Sequence, residues 1–312
     1  MSNGQPRPAA HDGRIVVSGL TKQYRNVRAV DELSFTVEPG RVTGFLGPNG
    51  AGKTTTLRML LNLVTPTAGT ATFGGHRYVD LPDPIRHVGA VLEASSAHKG
   101  RSGRNHLRVI CAAAGLPKQR ADEVLDLVGL TPAATRKFKG YSLGMRQRLG
   151  IATAMLGDPQ VLVLDEPANG LDPEGIHWLR EFLKGLANQG RTVLVSSHLL
   201  SEMQLLADDV VIIAAGKLVR QGPVDRVVGQ MSQVARVRVT TPDAEQLAQA
   251  LQAQNAVVEP QGGGVLLISG VDAPTVGRAA LTAGVELHEL TTERPDLEQV
   301  FLQLTAGKAD IR

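Results

Sequence analysis

One eight-residue segment constrains the fold of this chain more than any other. It reads Gly-Pro-Asn-Gly-Ala-Gly-Lys-Thr from Gly47 to Thr54 and fits the phosphate-binding pattern GxxxxGK(S/T) in full. The preceding stretch Arg41–Leu46 predicts a strand, and the apolar spacing of Thr54–Leu63 predicts a helix. A glycine-rich turn between a strand and a helix directs backbone N–H groups and the positive end of the helix dipole at a phosphate. The sequence therefore predicts a nucleotide-binding domain of the α/β class.

The residues of this phosphate loop have separate predicted roles. The backbone that folds around the phosphate oxygens is contributed by Gly47, Pro48, Asn49, Gly50, Ala51 and Gly52. We expect Lys53 to place its charge at the β- and γ-phosphates, Thr54 to offer its hydroxyl to Mg²⁺, and Thr55 to continue the same shell. The alternative, a chance glycine-rich turn, is disfavoured by the strand and helix on either side. The motif predicts nucleotide binding without indicating what the nucleotide drives.

A pair of carboxylates follows a buried strand later in the chain. The apolar run Val161–Leu164 ends in Asp165 and Glu166, which places both at the carboxyl edge of a sheet, where ligands bind in open α/β folds. We expect Asp165 to hold Mg²⁺ through water and Glu166 to orient and polarise an attacking water. An acidic pair at a solvated strand end is the alternative, and the complete phosphate loop in the same chain favours the functional interpretation.

Strand-like and helix-like segments alternate over residues 14–222. Val161–Leu164 and Thr192–Val195 are continuous apolar runs, typical of strands buried on both faces, and the stretch Pro173–Asn188 between them is amphipathic. This order predicts a βαβ unit in a parallel sheet. Residues 95–148 have helical spacing and little β-branched clustering, which predicts a mostly helical insertion.

The two ends of the chain differ from this domain. Residues 1–13 are polar, rich in Pro, Gly and Ala, and without the apolar core of a signal peptide, which predicts a disordered tail. Residues 223–312 predict a small accessory α+β domain in the order of a split βαβ unit, with no cluster of metal-binding or catalytic residues. Its predicted strands are Val234–Val239, Val265–Ile268 and Val285–Leu290, and its predicted helices are Leu247–Leu251, Ala273–Ala283 and Leu297–Leu304.

Composition narrows the classes of function. The formal net charge of +3 is too small to argue for a nucleic-acid partner. The single cysteine, Cys111, cannot form an internal disulfide and lies in the apolar stretch Leu107–Ala114, which predicts a buried core residue. The apolar runs are shorter than the about 20 residues that a membrane span needs, so a role at a membrane requires a partner.

Several ordered motifs connect the chain to a known family. The segment Lys139–Arg148 reads Lys-Gly-Tyr-Ser-Leu-Gly-Met-Arg-Gln-Arg and resembles the signature of the ABC ATPase family, usually LSGGQ followed by a basic, Gln-containing helix start. Asn169–Pro173 resembles the D-loop of that family, and His198, after two serines, resembles its switch histidine. Tyr24 matches the aromatic position that stacks on adenine. The resemblance covers about residues 14–222 and implies a P-loop NTPase fold with a helical subdomain.

The motifs depart from the usual family pattern in two places. Glu93 stands where the family has a Gln that contacts Mg²⁺ or water, and a carboxylate can accept hydrogen bonds but cannot donate them. The signature reads Ser-Leu-Gly-Met rather than Ser-Gly-Gly-Gln, although Ser142 and Gly144 retain the hydroxyl and one close backbone approach. Both departures, and the C-terminal extension, resemble a bacterial subgroup that exports antibiotics, such as the bacitracin-resistance ATPases.

The resemblance implies a mechanism that needs two subunits. The phosphate loop of one subunit and the signature of the other enclose one ATP with Mg²⁺, so that Ser142 and Gly144 complete the γ-phosphate cradle across the interface. Asp172 links the two sites, Glu166 acts on water and His198 holds the γ-phosphate. The partners implied are a second copy of the chain, or a paralogue, and a separate membrane permease. The implied location is cytoplasmic, peripheral at the inner face of the cell membrane, and no nucleic acid is expected.

Other interpretations remain at this point. Tyr24 could be an ordinary half-buried aromatic and His198 a structural histidine. The basic run at positions 99, 101, 104 and 108 could be a solvated helical face or a contact with the membrane partner. A soluble ABC ATPase that acts on nucleic acid or ribosomes would usually carry a coiled coil or a second ATPase unit, and neither is evident. A P-loop kinase would lack the signature between its nucleotide motifs.

Overall fold

The described residues of the computed structural model divide into two compact units, one up to Pro223 and one from Val224 to Glu293, and each is described by itself. Of the predicted tail, only Asp12 and Gly13 are among the described residues. The residues that the structure describes are 12–92, 97–198, 200–229, 236–253 and 256–293.

The first unit is built from alternating strands and helices. Its strands are β1 (Ile15–Tyr24), β2 (Val27–Val37), β3 (Val42–Leu46), β4 (Ala68–Phe73), β5 (Val88–Val91), β6 (Val161–Asp165), β7 (Thr192–Ser197), β8 (Asp209–Ala214) and β9 (Lys217–Pro223). Its helices are α1 (Lys53–Leu60), α2 (Pro84–His87), α3 (Gly103–Ala113), α4 (Gln119–Leu127), α5 (Leu143–Ala154), α6 (Pro173–Asn188) and α7 (Leu200–Leu206). The expected α/β class is confirmed.

A six-stranded sheet positions the nucleotide motifs. Its order is β5-β6-β7-β3-β8-β9, in which the first five strands are parallel and β9 runs antiparallel to β8. All of β3 and β7 is buried, because both faces of the parallel sheet are covered, and this is why these strands read as continuous apolar runs. The carboxyl ends of β3, β6 and β7 therefore meet at one edge. The helix α1 ends at Leu60, three residues before the predicted end, because Asn62 adopts a positive φ of 54°.

A second sheet covers the start of this unit. It has the order β2-β1-β4 and is antiparallel, with register shifts along β1. Side chains alternate between the two faces of the sheet along β1, so Ile15 and Val17 are buried and Val16 is exposed, as expected for a sheet with one face toward solvent. The stacked rings of Phe35 on β2 and Phe45 on β3, with centroids 5.3 Å apart, join the two sheets in one core.

The described part of the predicted helical insertion contains α3, α4 and the start of α5, which continues six residues past the predicted end at 148. Ser102 caps α3 by accepting a hydrogen bond from a backbone N–H in its first turn. Two residues of the basic run, Arg104 and Arg108, bind Asp122 of α4 at 2.6 and 3.2 Å, so they hold two helices together as well as facing solvent. Cys111 is fully buried, as predicted, and burial raises the pKa of its thiol.

The second unit contains a four-stranded antiparallel sheet of order β11-β12-β10-β13 and the helices packed on it. This is the strand order of a split βαβ unit. The elements of the unit are α8 (Val224–Gly229), β10 (Arg236–Thr240), α9 (Ala244–Gln252), β11 (Val257–Gly262), β12 (Val265–Ser269), α10 (Ala273–Ala283) and β13 (Glu289–Glu293).

Two strands of the second unit differ from the prediction, and its first helix, α8, was not predicted. The strand predicted at Val285–Leu290 begins only at Glu289, because Val285 instead closes α10: its N–H donates to the carbonyl of Ala280 at 2.9 Å, after Gly284 with φ of 68°. The edge strand β11 was not predicted, since it contains a proline and is mostly exposed. The last predicted helix, from residue 297 on, lies outside the described residues.

Among the residues that the structure describes, no helix is both long and apolar enough to cross a membrane.

We expect Leu194→Ala to lower the free energy of unfolding of the first unit by about 2–5 kcal/mol, because Leu194 on β7 is fully buried and truncation leaves a cavity. The matched control is Leu63→Ala, which removes the same atoms from a side chain that is 65% exposed and should change stability by less than about 0.5 kcal/mol. Urea unfolding followed by the fluorescence of Trp178, the only tryptophan of the chain, reports on this unit. Equal losses for the two variants would contradict the prediction.

Candidate functional site

The phosphate loop lies between the central strand β3 and the helix α1, and close contacts fix its backbone. Gly52 has φ of 100°, and a Cβ there would lie 2.5 Å from the carbonyl oxygen of Ala29. A Cβ on Gly47 would lie 2.7 Å from the carbonyl oxygen of Ile213. Neither position tolerates a larger residue without moving backbone. Packing therefore requires a glycine at both ends of the loop, and the left-handed backbone also favours glycine at position 52.

The remaining loop residues form a compact turn at the edge of the sheet. The N–H of Ala51 donates to the carbonyl of Pro48 at 3.1 Å, and Ala51 itself is buried. Asn49 and Gly50 are exposed at the tip, and Thr55 is half-buried in the first turn of α1. The exposed tip leaves the loop accessible to a ligand.

Lys53, the first residue of α1, is held inside the site by contacts with the loop and with a carboxylate. Its side chain is 7% exposed, and its Nζ donates to the carbonyl of Gly47 at 2.7 Å and lies 3.7 Å from Oε1 of Glu166. Burial lowers the pKa of this amine below its ordinary value of 10.5, and the charges of Glu166 and Asp165 oppose part of that shift. The structure thus places a positive charge at the centre of the loop.

Asp165, at the end of β6, is fixed by two hydroxyl groups. The hydroxyl of Thr54 donates to Oδ2 of Asp165 at 2.8 Å, and the hydroxyl of Ser196 on β7 donates to Oδ1. This brings a carboxylate and a threonine hydroxyl, both hard oxygen donors, to one point beside the phosphate loop. Such a pair fits Mg²⁺, which is usually held by one or two protein oxygens together with phosphates and water.

The other predicted metal-site residue, Glu93, lies outside the described residues. Within the described ranges, no group of three or more His, Cys, Asp and Glu side chains comes together in a way that could hold a metal ion. A metal at Thr54 and Asp165 would therefore depend on oxygens from the nucleotide.

Glu166 contacts three other residues of the site. Its Oε2 lies 2.8 Å from Nδ1 of His198, its Oε1 faces Lys53, and its N–H donates to the hydroxyl of Ser196 at 3.0 Å. Its φ of 49° is unusual for a residue other than glycine, and this turns the chain sharply as β6 ends. The structure therefore brings five predicted residues together at one edge of the sheet: Lys53, Thr54, Asp165, Glu166 and His198.

The signature and D-loop residues lie at the starts of two other helices. Ser142 caps α5, and its hydroxyl accepts from the N–H of Met145 at 3.2 Å. Asp172 caps α6 by accepting from the N–H of Gly175 at 2.8 Å. A Cβ on Gly144 would lie 3.3 Å from Cδ2 of Leu171. Among the described residues, these contacts join the two segments to each other and to their own helices, rather than to the phosphate loop.

Tyr24 lies at the end of β1, in the hairpin opposite Val27. Its side chain is 44% exposed, and Nζ of Lys22 lies 5.0 Å from the centre of its ring. The hairpin borders the phosphate loop, because Ala29 two residues further along β2 contacts Gly52. The ring is therefore accessible beside the loop.

Ser196 is the main site residue that the sequence analysis missed. It was noted only as part of the pair that precedes His198, yet one hydroxyl binds both Asp165 and the backbone of Glu166. The signal that could have identified it is the pairing of β6 with β7, which places Ser196 opposite Asp165.

Comparisons with known proteins agree with this arrangement. The sequence profile of the ABC transporter family matches residues 30–169, and that of a domain of unknown function, DUF8746, matches residues 235–298. The chain is 47% identical over 206 residues to the uncharacterized ABC transporter ATP-binding protein YhcH of Bacillus subtilis (strain 168), covering 65% of this chain and 68% of that protein. It is 43% identical over 214 residues to the bacitracin transport ATP-binding protein BcrA of Bacillus licheniformis, covering 68% and 70%.

A further relative matches over nearly the full length of the chain. The daunorubicin/doxorubicin resistance ATP-binding protein DrrA of Streptomyces peucetius is 36% identical over 324 aligned positions, covering 99% of this chain and 96% of that protein. Among solved structures, an ATP-binding subunit of an ABC transporter superposes with a TM-score of 0.63 at 28% identity, over 70% of this chain and 92% of that one. The dimeric bacterial ABC transporter cassette MJ0796 shares the fold, with a TM-score of 0.61 at 22% identity, over 67% and 98%.

Proposed function

This chain belongs to the family of ABC transporter ATP-binding proteins, and from that premise we propose that it hydrolyses ATP as a dimer to power export through a separate membrane permease. ATP binding and hydrolysis follow from membership of the family. The export direction, the residue roles, Mg²⁺ and the partners are the proposal. The observation that carries it is the cluster of Lys53, Glu166 and His198 at the edge of the sheet beside the phosphate loop.

The geometry of this cluster supports hydrolysis by positioning and charge. On binding, Nζ of Lys53 would exchange the carbonyl of Gly47 and the carboxylate of Glu166 for phosphate oxygens. Glu166 would then orient the attacking water through its freed Oε1 and accept its proton. His198 would keep the carboxylate in place from the other side through Nδ1, with its second ring nitrogen directed to the γ-phosphate. Water adds to the γ-phosphorus as the bond to the bridging oxygen breaks.

Thr54 and Asp165 would hold Mg²⁺ beside these residues, and the ion would neutralise charge on the β- and γ-phosphate oxygens. The short path from Asp165 through Ser196 to the backbone of Glu166 keeps the carboxylates in fixed relation. The role of Glu93 stays a prediction.

The resemblance of the signature to that of the family supports a dimer. Ser142 contacts the first turn of its own helix α5 rather than the phosphate loop, so we propose that it completes an ATP site belonging to a second subunit. The solved cassette MJ0796 is dimeric, and the sheet and helices of this chain resemble it. We propose a homodimer in which Ser142 and Gly144 face the partner's γ-phosphate and Asp172 lies near the interface.

The named relatives indicate the class of cargo. BcrA serves bacitracin transport, and DrrA serves resistance to daunorubicin and doxorubicin. We propose that this chain likewise powers removal of an antibiotic or a similar compound, at the cytoplasmic face of the cell membrane, with a membrane permease as its partner. The groove lined by Leu61, Leu63, Tyr78 and His106, with a volume of about 380 Å³, is a candidate contact for that permease.

Deletion of the gene tests the proposed export. Loss of the chain should raise the sensitivity of the cell to at least one peptide or anthracycline antibiotic, and the wild-type chain should restore resistance while Glu166→Gln should not. Unchanged sensitivity across both classes, together with binding of the chain to nucleic acid that weakens steeply with salt, would favour the alternative of a soluble ABC ATPase acting on nucleic acid or ribosomes.

We expect Tyr24→Ala to raise the KM for ATP by about 5- to 150-fold, because base stacking on an aromatic ring contributes about 1–3 kcal/mol and each 1.4 kcal/mol is tenfold. Tyr24→Phe keeps the ring and should stay within about twofold of wild type. Steady-state hydrolysis at several ATP concentrations distinguishes the two. A KM unchanged in Tyr24→Ala would show that the ring is an ordinary surface aromatic.

A further inference from the structure

The side chain of Leu143 fills a space that only glycine leaves open. Leu143 is the first residue of α5, directly after Ser142, and is 51% exposed. Its Cδ2 lies 2.0 Å from the position that a Cβ on Gly170 would take, and its Cγ lies 2.9 Å from that position. Gly170 has φ of 73°, in the left-handed region. The leucine of the signature and the glycine of the D-loop therefore fit together as a knob and a hole.

Two neighbouring contacts extend this fit. Gly144 faces Leu171, as the 3.3 Å approach described above shows. One turn further along α5, the buried Gln147 donates from Nε2 to the carbonyl of Asn169 at 3.3 Å. Three consecutive residues of the D-loop are thus each in contact with the first two turns of the signature helix.

The first residue of the D-loop, Asn169, is hydrogen-bonded to the backbone of Glu166. The N–H of Asn169 donates to the carbonyl of Glu166 at 3.2 Å, and the N–H of Leu171 donates to that of Ala168 at 3.1 Å. Only a tight turn therefore separates Glu166 from the residues that α5 contacts. A shift of α5 would act on this turn through the contact of Leu143 with Gly170 and the hydrogen bond from Gln147 to Asn169.

We propose that Leu143 and Gln147 are positioning residues that couple the signature of a subunit to its own Glu166. The signature acts on the ATP bound by the partner subunit, whereas Glu166 acts on the ATP bound by its own phosphate loop. The contact between Leu143 and Gly170 therefore links the two ATP sites of the dimer within one chain. This inference rests on the proposed function, since it needs ATP sites shared between two subunits.

Suppression between two substitutions tests the contact in the full-length chain. Gly170→Ala puts a methyl group into the space of Leu143, and Leu143→Ala in the same chain vacates that space. The matched control is Gly190→Ala: Gly190 has a similar left-handed φ of 87°, but a Cβ there meets nothing within 4 Å. It therefore imposes the same backbone cost without the clash.

We expect Gly170→Ala to lower kcat at least about tenfold with KM for ATP within about twofold, because a small misplacement of catalytic groups is costly. Gly190→Ala should leave both within about twofold of wild type. Leu143→Ala combined with Gly170→Ala should recover kcat at least about threefold over Gly170→Ala alone, the sign of a direct coupling. A double variant no better than Gly170→Ala, or equal effects of Gly170→Ala and Gly190→Ala, would overturn the inference.

Two further measurements are needed. Circular dichroism tests whether the variants fold, and ATP-induced dimerisation distinguishes failure of this inference from failure of the proposed function. If Gly170→Ala does not fold by circular dichroism, folding of the double variant supports the clash and its failure contradicts it. ATP-induced dimerisation is measured with Glu166→Gln as the parent. If that parent stays monomeric with ATP, the proposed function fails. If it dimerises and the suppression pattern is absent, only the coupling fails.

Discussion

Glu166→Gln should abolish ATP turnover while leaving ATP binding intact. The amide keeps the size of the side chain and can still contact His198 and Lys53, which lie 2.8 and 3.7 Å from the two carboxylate oxygens. It cannot accept a proton from water, and loss of a general base typically costs about 10²–10⁴-fold in rate. We therefore expect single-turnover hydrolysis to fall by about that factor, with an ATP dissociation constant equal to or lower than that of wild type.

The control for this variant is Glu181→Gln, which makes the same change on the exposed face of α6 and should hydrolyse ATP at the wild-type rate. Hydrolysis is measured as release of phosphate from bound ATP, and binding as equilibrium titration without turnover. If Glu166→Gln hydrolyses ATP within about twofold of the wild-type rate, Glu166 is not the general base, since general-base catalysis contributes at least about 10²-fold.

Lys53→Ala should instead weaken ATP binding itself. The ammonium group is nearly buried at the centre of the loop, so no solvent-exposed lysine can replace it. A hydrogen bond to a charged group contributes about 1.5–3 kcal/mol, which corresponds to about 10–100-fold in the dissociation constant. Lys217→Ala, which removes an exposed lysine paired with Asp31, is the control and should bind ATP normally. Equal affinities of Lys53→Ala and wild type would exclude the proposed phosphate contact.

The lowered pKa of Lys53 adds a pH signature to this prediction. The amine is charged below its pKa and neutral above it, and burial places that pKa below 10.5. The contribution of Lys53 to ATP affinity should therefore be full well below its lowered pKa and decrease as the pH rises through that pKa. The affinity of Lys53→Ala should lack this decrease, which titration across alkaline pH can establish.

Local patterns predicted the parts of the site that depend on one segment of chain. The turn from Gly47 to Thr54 and the strand that ends at Asp165 need only the order of residues and the period of their burial. The helix Pro173–Asn188 was likewise predicted to the residue, since its N-cap and proline are local signals. What these patterns share is that the signal for each lies within one short segment of the sequence.

Two features that were missed depend on residues far apart in the chain. Ser196 becomes part of the site only because β6 and β7 are adjacent in the sheet. Leu143 reads as a departure from the signature until Gly170 lies against it. The start of β13 was placed too early because Val285 completes the end of a helix instead, a competition between two local roles that tertiary packing decides.

Ser196 also joins two neighbouring acidic residues through one oxygen atom. Its hydroxyl donates to the carboxylate of Asp165 and accepts the N–H of Glu166, so the end of β6 and the turn that follows it form one hydrogen-bonded unit with β7. A displacement of Asp165 would therefore be transmitted through Ser196 to the backbone of Glu166.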